Sequence, residues 1–187
     1  MSDNKTRCQW CLSDQIYIDY HDNEWGRPEY DDRKLFEMIN LEGAQAGLSW
    51  ITILKKRESY LKAFDNFEAE KIVKYSDKKL EKLKLNPDII RNRLKIAAVR
   101  TNAQAYLKIK ESGLSFSDYI WKYVDGKPIV NNFKTMADIP ANTPGSDRMS
   151  KQMKKDGFKF IGSTIAYAFM QATGMVNDHV ASCYLRS

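Results

Sequence analysis

The chain of 187 residues owns only two histidines and three cysteines, and all five lie close to its ends. Cys8, Cys11 and His21 sit near the N-terminus, His179 and Cys183 near the C-terminus. A random scatter would rarely leave the whole middle of a chain empty of both residue types. His179 and Cys183 are four apart, a spacing that places both side chains on one face of a helical turn, and Cys8 with His21 supplies a second pair. Two thiolates and two imidazoles form a tetrahedral Zn²⁺ set with no position open to water. The reading is a structural clasp pinning the two ends of the chain together, against the alternative of incidental core or surface residues. An odd cysteine count in a chain of reduced character also favours metal over a disulfide framework. Cys8-x-x-Cys11 is itself a ligand spacing, so five candidates compete for four places.

Hydrophobic residues at 43% and charged residues at 29% describe a globular chain rather than a disordered one. No run approaches the roughly 18 apolar residues of a membrane span, and Met1-Ser2-Asp3-Asn4-Lys5 lacks the apolar core of a signal peptide. A soluble cytoplasmic protein without membrane partners is therefore expected. Thirty Lys plus Arg against 24 Asp plus Glu give a net charge of +6, compatible with nucleic acid and equally with an ordinary basic protein.

Helical periodicity dominates. Asp31-Asp32 caps a helix through Leu35, Phe36, Ile39 and Leu41 to about Gly47, and Ser49 restarts one through Ile53, Leu54, Leu61 and Phe64. Further helices are predicted at 68–75, 77–85, 88–110 with Pro87 just inside its start, 117–124, 147–156 and 163–173. Residues 126–146 read as a long irregular connection. No β alternation stands out, so the fold class is all-α, with a polar helix, a hairpin at 157–162 and an apolar helix near the end.

One residue on the first long helix breaks the pattern. At about 100° per residue, Leu35, Met38, Ile39 and Ala46 form an apolar arc, and Glu42 falls at its centre. A carboxylate is almost never fully buried without a partner, so this one is either salt-bridged, at a local bend, or used. Trp10, Tyr17, Tyr20 and Trp25 crowd the N-terminal segment, and Trp50 follows Gly47-Leu48-Ser49. A carboxylate beside aromatic plates suits a flat ligand with a polar edge, such as a nucleobase, although core packing is the commoner fate of an aromatic.

Tyr20-His21-Asp22-Asn23-Glu24-Trp25-Gly26 and Leu41-Glu42-Gly43-Ala44-Gln45-Ala46-Gly47-Leu48-Ser49-Trp50 resemble the bacterial DNA-3-methyladenine glycosylase I family. So do Ile89-Ile90-Arg91-Asn92-Arg93-Leu94-Lys95-Ile96, Gly157-Phe158-Lys159-Phe160-Ile161-Gly162 and Val176-Asn177-Asp178-His179-Val180. The likeness runs in order over residues 8–183. It implies the helix-hairpin-helix glycosylase fold in a single domain over 1–187, divisible into a helical lobe at 30–112 and a second lobe of the termini plus 115–187. It implies zinc on Cys8, His21, His179 and Cys183, leaving Cys11 out. The implied substrate is alkylated double-stranded DNA, from which N3-methyladenine is flipped out and hydrolysed by a monofunctional enzyme without a lyase step.

In that likeness Glu42 reads the base, Tyr20 supplies a pocket hydroxyl, and Trp10 and Trp50, with Tyr17, form aromatic walls. Gly47 and Leu48 fill the gap left by the flipped nucleotide, while Lys159 and Gly162 belong to the phosphate-gripping hairpin. Phe160 stands where most superfamily members have the first hairpin glycine. Asn177 stands where others carry a catalytic aspartate, and the side chain of Asp178 should point elsewhere. No organic cofactor is expected, and the chain is expected to act as a monomer. A non-enzymatic zinc-stapled module leaves Glu42 unexplained. A zinc hydrolase or deaminase would need a His-x-Glu beside an open site, and neither histidine has one.

Overall fold

Asp31 begins the helix that the others surround. Its carboxylate accepts a hydrogen bond from the Lys34 backbone N–H at 2.8 Å, satisfying one of the open donors of a helix start. In this computed structural model, which describes residues 4–186, that helix is α2 (Asp32–Gln45), preceded by α1 (Gln15–Asn23). Residues 1–3, on which part of the signal-peptide reading rests, lie outside the described residues. There follow α3 (Trp50–Leu54), α4 (Arg57–Ala63), α5 (Ala69–Ile72), α6 (Asp77–Lys84), α7 (Arg93–Glu111) and α8 (Phe116–Trp121). The chain closes with β1 (Ile129–Val130), α9 (Pro144–Lys155), α10 (Ser163–Ala172) and β2 (Val176–Asn177). The architecture is mostly helical, as the periodicity implies.

Every residue of α2 from Leu35 to Ala44 is buried. A helix enclosed on all sides is a core element, and α3, α7, α8 and α10 all pack on it. Its two buried acids are treated differently. Glu37 is held by Arg57 Nε at 2.7 Å and Arg33 Nη1 at 3.0 Å, which offsets the cost of burying its charge. Glu42, five residues on, has no such partner.

Several boundaries differ from the sequence reading. The helix expected to run on from Ser49 to Phe64 is two, because the chain tightens at Lys55-Lys56, where Lys56 N–H bonds Ile53 O at 2.9 Å. Pro87 lies in a turn rather than inside a helix. The Asn86 side chain takes the Asp88 N–H, and α7 starts only at Arg93, where Asn92 accepts from the backbone N–H of Leu94 and Lys95. The 126–146 connection is shorter and less irregular than expected. Thr143 and Ser146 form a reciprocal cap that starts α9 at Pro144. β1 pairs in parallel with β2, Val130 opposite Asn177. Two-residue strands carry no alternation to detect. The sequence reading contains no helix at 15–23, where α1 lies.

The turn at 25–28 is wedged between two neighbours. Gly174 adopts φ +66°, and a Cβ there would lie 2.2 Å from the Arg27 carbonyl carbon. Gly174→Ala is therefore expected to destabilise the protein by about 3 kcal/mol, lowering the thermal midpoint by roughly 6–12 °C. Calorimetry of the parent and variant checks this, and an unchanged midpoint would mean the turn yields freely.

Candidate active site and metal cluster

Cys8, His21, His179 and Cys183 meet behind the N-terminal helix, all buried, with their ligand atoms within 4.8 Å of one another. His179 Nδ1 lies 3.6 Å from Cys8 Sγ and 3.4 Å from Cys183 Sγ, and His21 Nε2 lies 3.5 Å from Cys183 Sγ. A tetrahedron with metal–sulfur bonds near 2.3 Å and metal–nitrogen bonds near 2.05 Å has S···N edges of about 3.5 Å. The ring nitrogens facing away are also engaged, as ligating histidines require. His21 Nδ1 is 2.8 Å from Asp22 Oδ1, which Arg7 also grips, and His179 Nε2 is 3.2 Å from the Trp25 carbonyl. Burial pushes the Cys8 thiol up to about 12 and the His179 imidazole down to about 4, so the imidazole is neutral and ready to donate a lone pair. The four residues could hold a metal ion.

Cys11 is not in the cluster. Its thiol donates to the Cys8 carbonyl at 3.1 Å. The expected helical turn between His179 and Cys183 is absent too: the segment is a tight turn, closed by Cys183 N–H to Val180 O at 2.8 Å, and it brings the two side chains together just as well.

The cluster backs directly onto aromatic residues. The His179 ring meets Trp25 edge-on with centroids 4.7 Å apart, and Trp10 touches His21, Trp25, Tyr17 and Tyr20. Trp10, Tyr17, Tyr20, Trp25 and Trp50, together with Glu42, line a pocket of about 520 Å³, within the size range of small-molecule sites. Tyr17 takes up a second task, its hydroxyl accepting the Ile51 N–H at the start of α3.

Six enclosed side-chain polar atoms among the described residues lack a hydrogen-bond partner, and four of them belong to this lining: Trp10 Nε1, Trp50 Nε1, Tyr20 Oη and Glu42 Oε2. Leaving such an atom unpaired costs about 1–3 kcal/mol, so their convergence on one cavity marks a place for a polar-edged ligand. Burial alone pushes the Glu42 carboxyl up to about 8. A larger cleft of about 1040 Å³ lies beside Glu24, Arg33, Glu37 and Arg57, but those charges are already paired with one another.

The rim follows from the end of α2. Lys95 Nζ donates to the carbonyls of Ala44 and Ala46 at 2.8 and 2.6 Å, closing the helix, and Gly47 turns with φ +79°. Leu48 emerges there with 41% of its surface exposed. The hairpin between α9 and α10 is pressed onto the same helix. Phe160 occupies the left-handed region at φ +54°, the conformation a glycine would adopt without cost. Its Cβ and carbonyl oxygen sit 3.2 and 3.3 Å from where a Cβ on Gly43 would stand. Lys159 is exposed, its backbone N–H bonded to Asn102 Oδ1 at 2.8 Å. Gly162 caps α10 with no side-chain cap and open space around it.

A family model described as methyladenine glycosylase matches residues 10–187. The chain belongs to that family. As a methyladenine glycosylase family member it is 52% identical to DNA-3-methyladenine glycosylase 1 of Escherichia coli (strain K12), over 177 residues and 95% of each chain. A crystal structure of 3-methyladenine DNA glycosylase I superimposes with a TM-score of 0.95 at 52% identity, covering 96% of this chain and 99% of that one. A variant of 3-methyladenine DNA glycosylase I in complex with 3-methyladenine superimposes with a TM-score of 0.93 at 37% identity, covering 97% of each.

Residues lining the pocket that sequence reasoning missed come from its far side: Met136, Ile139, Pro140 and Ala141 from the connection before α9, and Thr164, Tyr167, Ala168 and Gln171 from α10. The spacing of the α10 residues, a strip at i, i+3, i+4 and i+7, was the available signal.

The raised Glu42 value has a consequence for stability. Between the ordinary carboxyl value of 4.5 and about 8 the unfolded chain has lost a proton that the folded chain retains, so folding stability falls with rising pH by up to about 1.4 kcal/mol per unit. Glu42→Gln removes that slope. Urea unfolding at pH 5.5 and pH 8 should show the variant gaining on the parent as pH rises. An equal difference at both values would mean the carboxyl is not desolvated.

Proposed function

We infer that this chain removes N3-methyladenine from alkylated double-stranded DNA by hydrolysis, leaving an abasic site, as a base-excision repair enzyme. The observation that carries the reading is the set of four unpaired polar atoms, Glu42 Oε2 among them, in an aromatic pocket, in a member of this family. N3-methylation places a positive charge on the purine, so the glycosidic bond is already weak. When it breaks, its electron pair passes to the base and neutralises it, and water adds at the sugar C1′ with loss of a proton. Such a reaction needs recognition and charge placement more than a strong acid.

The lesion is flipped out of the duplex, at a cost of a few kcal/mol that is least for a damaged base. Trp10, Tyr17, Tyr20 and Trp50 are its walls, and ring faces favour a cationic base by about 0.5–2 kcal/mol each. Glu42, as a carboxylate, pairs with the cationic edge, and Tyr20 adds its hydroxyl. Gly47 and Leu48 fill the vacated stack, while Lys159 and the backbone at Gly162 hold a phosphate. The pocket draws on both the 30–112 segment and the terminal segments, so the cleft between two helical lobes of one domain is the reading we favour. Zn²⁺ on Cys8, His21, His179 and Cys183 is structural, supplying only cross-linking of the chain ends. The chain works as a cytoplasmic monomer without an organic cofactor.

Glu42→Gln should lower the rate of 3-methyladenine release at least about tenfold while leaving thermal stability at pH 7 intact or higher. In the parent, kcat/KM should climb with pH towards 8 as the buried carboxyl ionises, and the variant should lack that limb. Release at the parental rate would remove Glu42 from the reaction. Elemental analysis should find one zinc per chain, and stripping it should lower the unfolding midpoint before activity is lost; full stability in the stripped protein would rule out a structural ion. Lys159→Ala should flatten the slope of log affinity against log salt by about one. An unaltered slope excludes Lys159 from the phosphate contact.

A further inference from the structure

Asp178 is fully buried, yet neither the metal cluster nor the reading above uses its side chain. Oδ1 accepts from Asn131 Nδ2 at 2.7 Å, and Oδ2 accepts from the Tyr167 hydroxyl at 2.6 Å and from Gln171 Nε2 at 2.8 Å. Asn131 arrives because β1 pairs with β2 one residue earlier. Tyr167 and Gln171 are one helical turn apart on α10, and both line the base pocket. Asp178 stands behind the pocket wall and grips two of the residues that form it.

A carboxyl that receives three donors acts only as an acceptor. It therefore dictates which way the Gln171 amide faces, the NH₂ turned inward to Asp178 and Oε1 turned away from it. Oε1 accepts no hydrogen bond within the described residues and is not among the enclosed unpaired atoms, and Gln171 is one of the residues lining the cavity. We propose that Gln171 presents Oε1 as a fixed acceptor for the exocyclic amino group of the purine, and that Asp178 is the positioning residue that sets its orientation. The proposal rests on the base-pocket reading. Adenine carries two N–H donors on its 6-position nitrogen where guanine carries an oxygen acceptor. Glu42 Oε2 and Gln171 Oε1 are two acceptors without internal donors. A 3-methylguanine in the same pose would set oxygen against oxygen and leave these groups unpaired, the arrangement by which polar sites reject an analogue.

The test uses full-length, metal-loaded protein and duplex DNA treated with a methylating agent, with the released bases separated by chromatography. Gln171→Met keeps side-chain length and removes the acceptor. It should lower 3-methyladenine release about tenfold and leave 3-methylguanine release unchanged or raised, so that the ratio of the two collapses. Asp178→Asn should lower the same ratio less, since an amide at 178 can donate as well as accept and no longer fixes Gln171; zinc content and unfolding midpoint are read alongside. The ratio does not depend on the fraction of folded enzyme, so Gln171→Met decides the matter even where the Asp178 variant fails to fold. An unchanged ratio, or both rates falling together, overturns the role given to Gln171. A parent protein that releases no 3-methyladenine would instead overturn the glycosylase reading.

Discussion

The contact between His179 and the Trp25-Gly26 turn ties the two ends of the chain to the pocket. The Trp25 carbonyl takes the outer nitrogen of His179, the indole packs edge-on against the imidazole, and Gly26 comes so near that a Cβ there would lie 2.9 Å from Nε2. On its other side His179 faces both cysteines of the cluster. The aromatic wall is therefore supported by side chains from residues 8 to 25, which form a 3-10 helix (Gln9–Ser13) and α1, and from residues 179 to 183, which form no helix or strand. Trp10, Tyr17 and Tyr20 reach the pocket from short helices, and the buried contacts of Cys8, His21, His179 and Cys183 tie those helices to the C-terminal segment.

Glu37 and Glu42 lie on one helix and are both buried, but the first is neutralised by arginines and the second is enclosed by rings and hydroxyls. The desolvation of Glu42 is a cost to the folded protein, so the carboxyl left unpaired in the pocket is also the one that lowers stability as pH rises. The turn carrying Leu48 and the hairpin carrying Lys159 are both anchored to α2, by Lys95 and by the contact of Phe160 with Gly43. One helix thus places Glu42, the exposed Leu48 and the 157–162 hairpin beside one another.

How much of this was legible depended on the kind of signal each residue gave. The cluster could be seen because histidine and cysteine are scarce here and confined to the ends, and Glu42 because an acid on an apolar arc is conspicuous. Pro87 misled, since a proline ahead of a periodic run reads as a helix start, while Asn86 and Asn92 bind the local backbone and delay α7 to Arg93. The break at Lys55-Lys56 left no trace because lysine suits a helix and a turn equally well. The left-handed Phe160 runs against its residue type, and its close approach to Gly43 appears only in the tertiary structure.

By itself, the sequence determined the helical class, the buried acid and the five Cys and His candidates at the chain ends, because each is a property of residue type and placement along the chain. Tertiary structure alone decided which side chains share the cavity. Tyr167 and Gln171 are ordinary members of an apolar helix until α10 packs on α2, and Asn131 meets Asp178 only when two short strands 47 residues apart come into register. Such contacts join positions remote in the chain, and no local pattern encodes the distance between them.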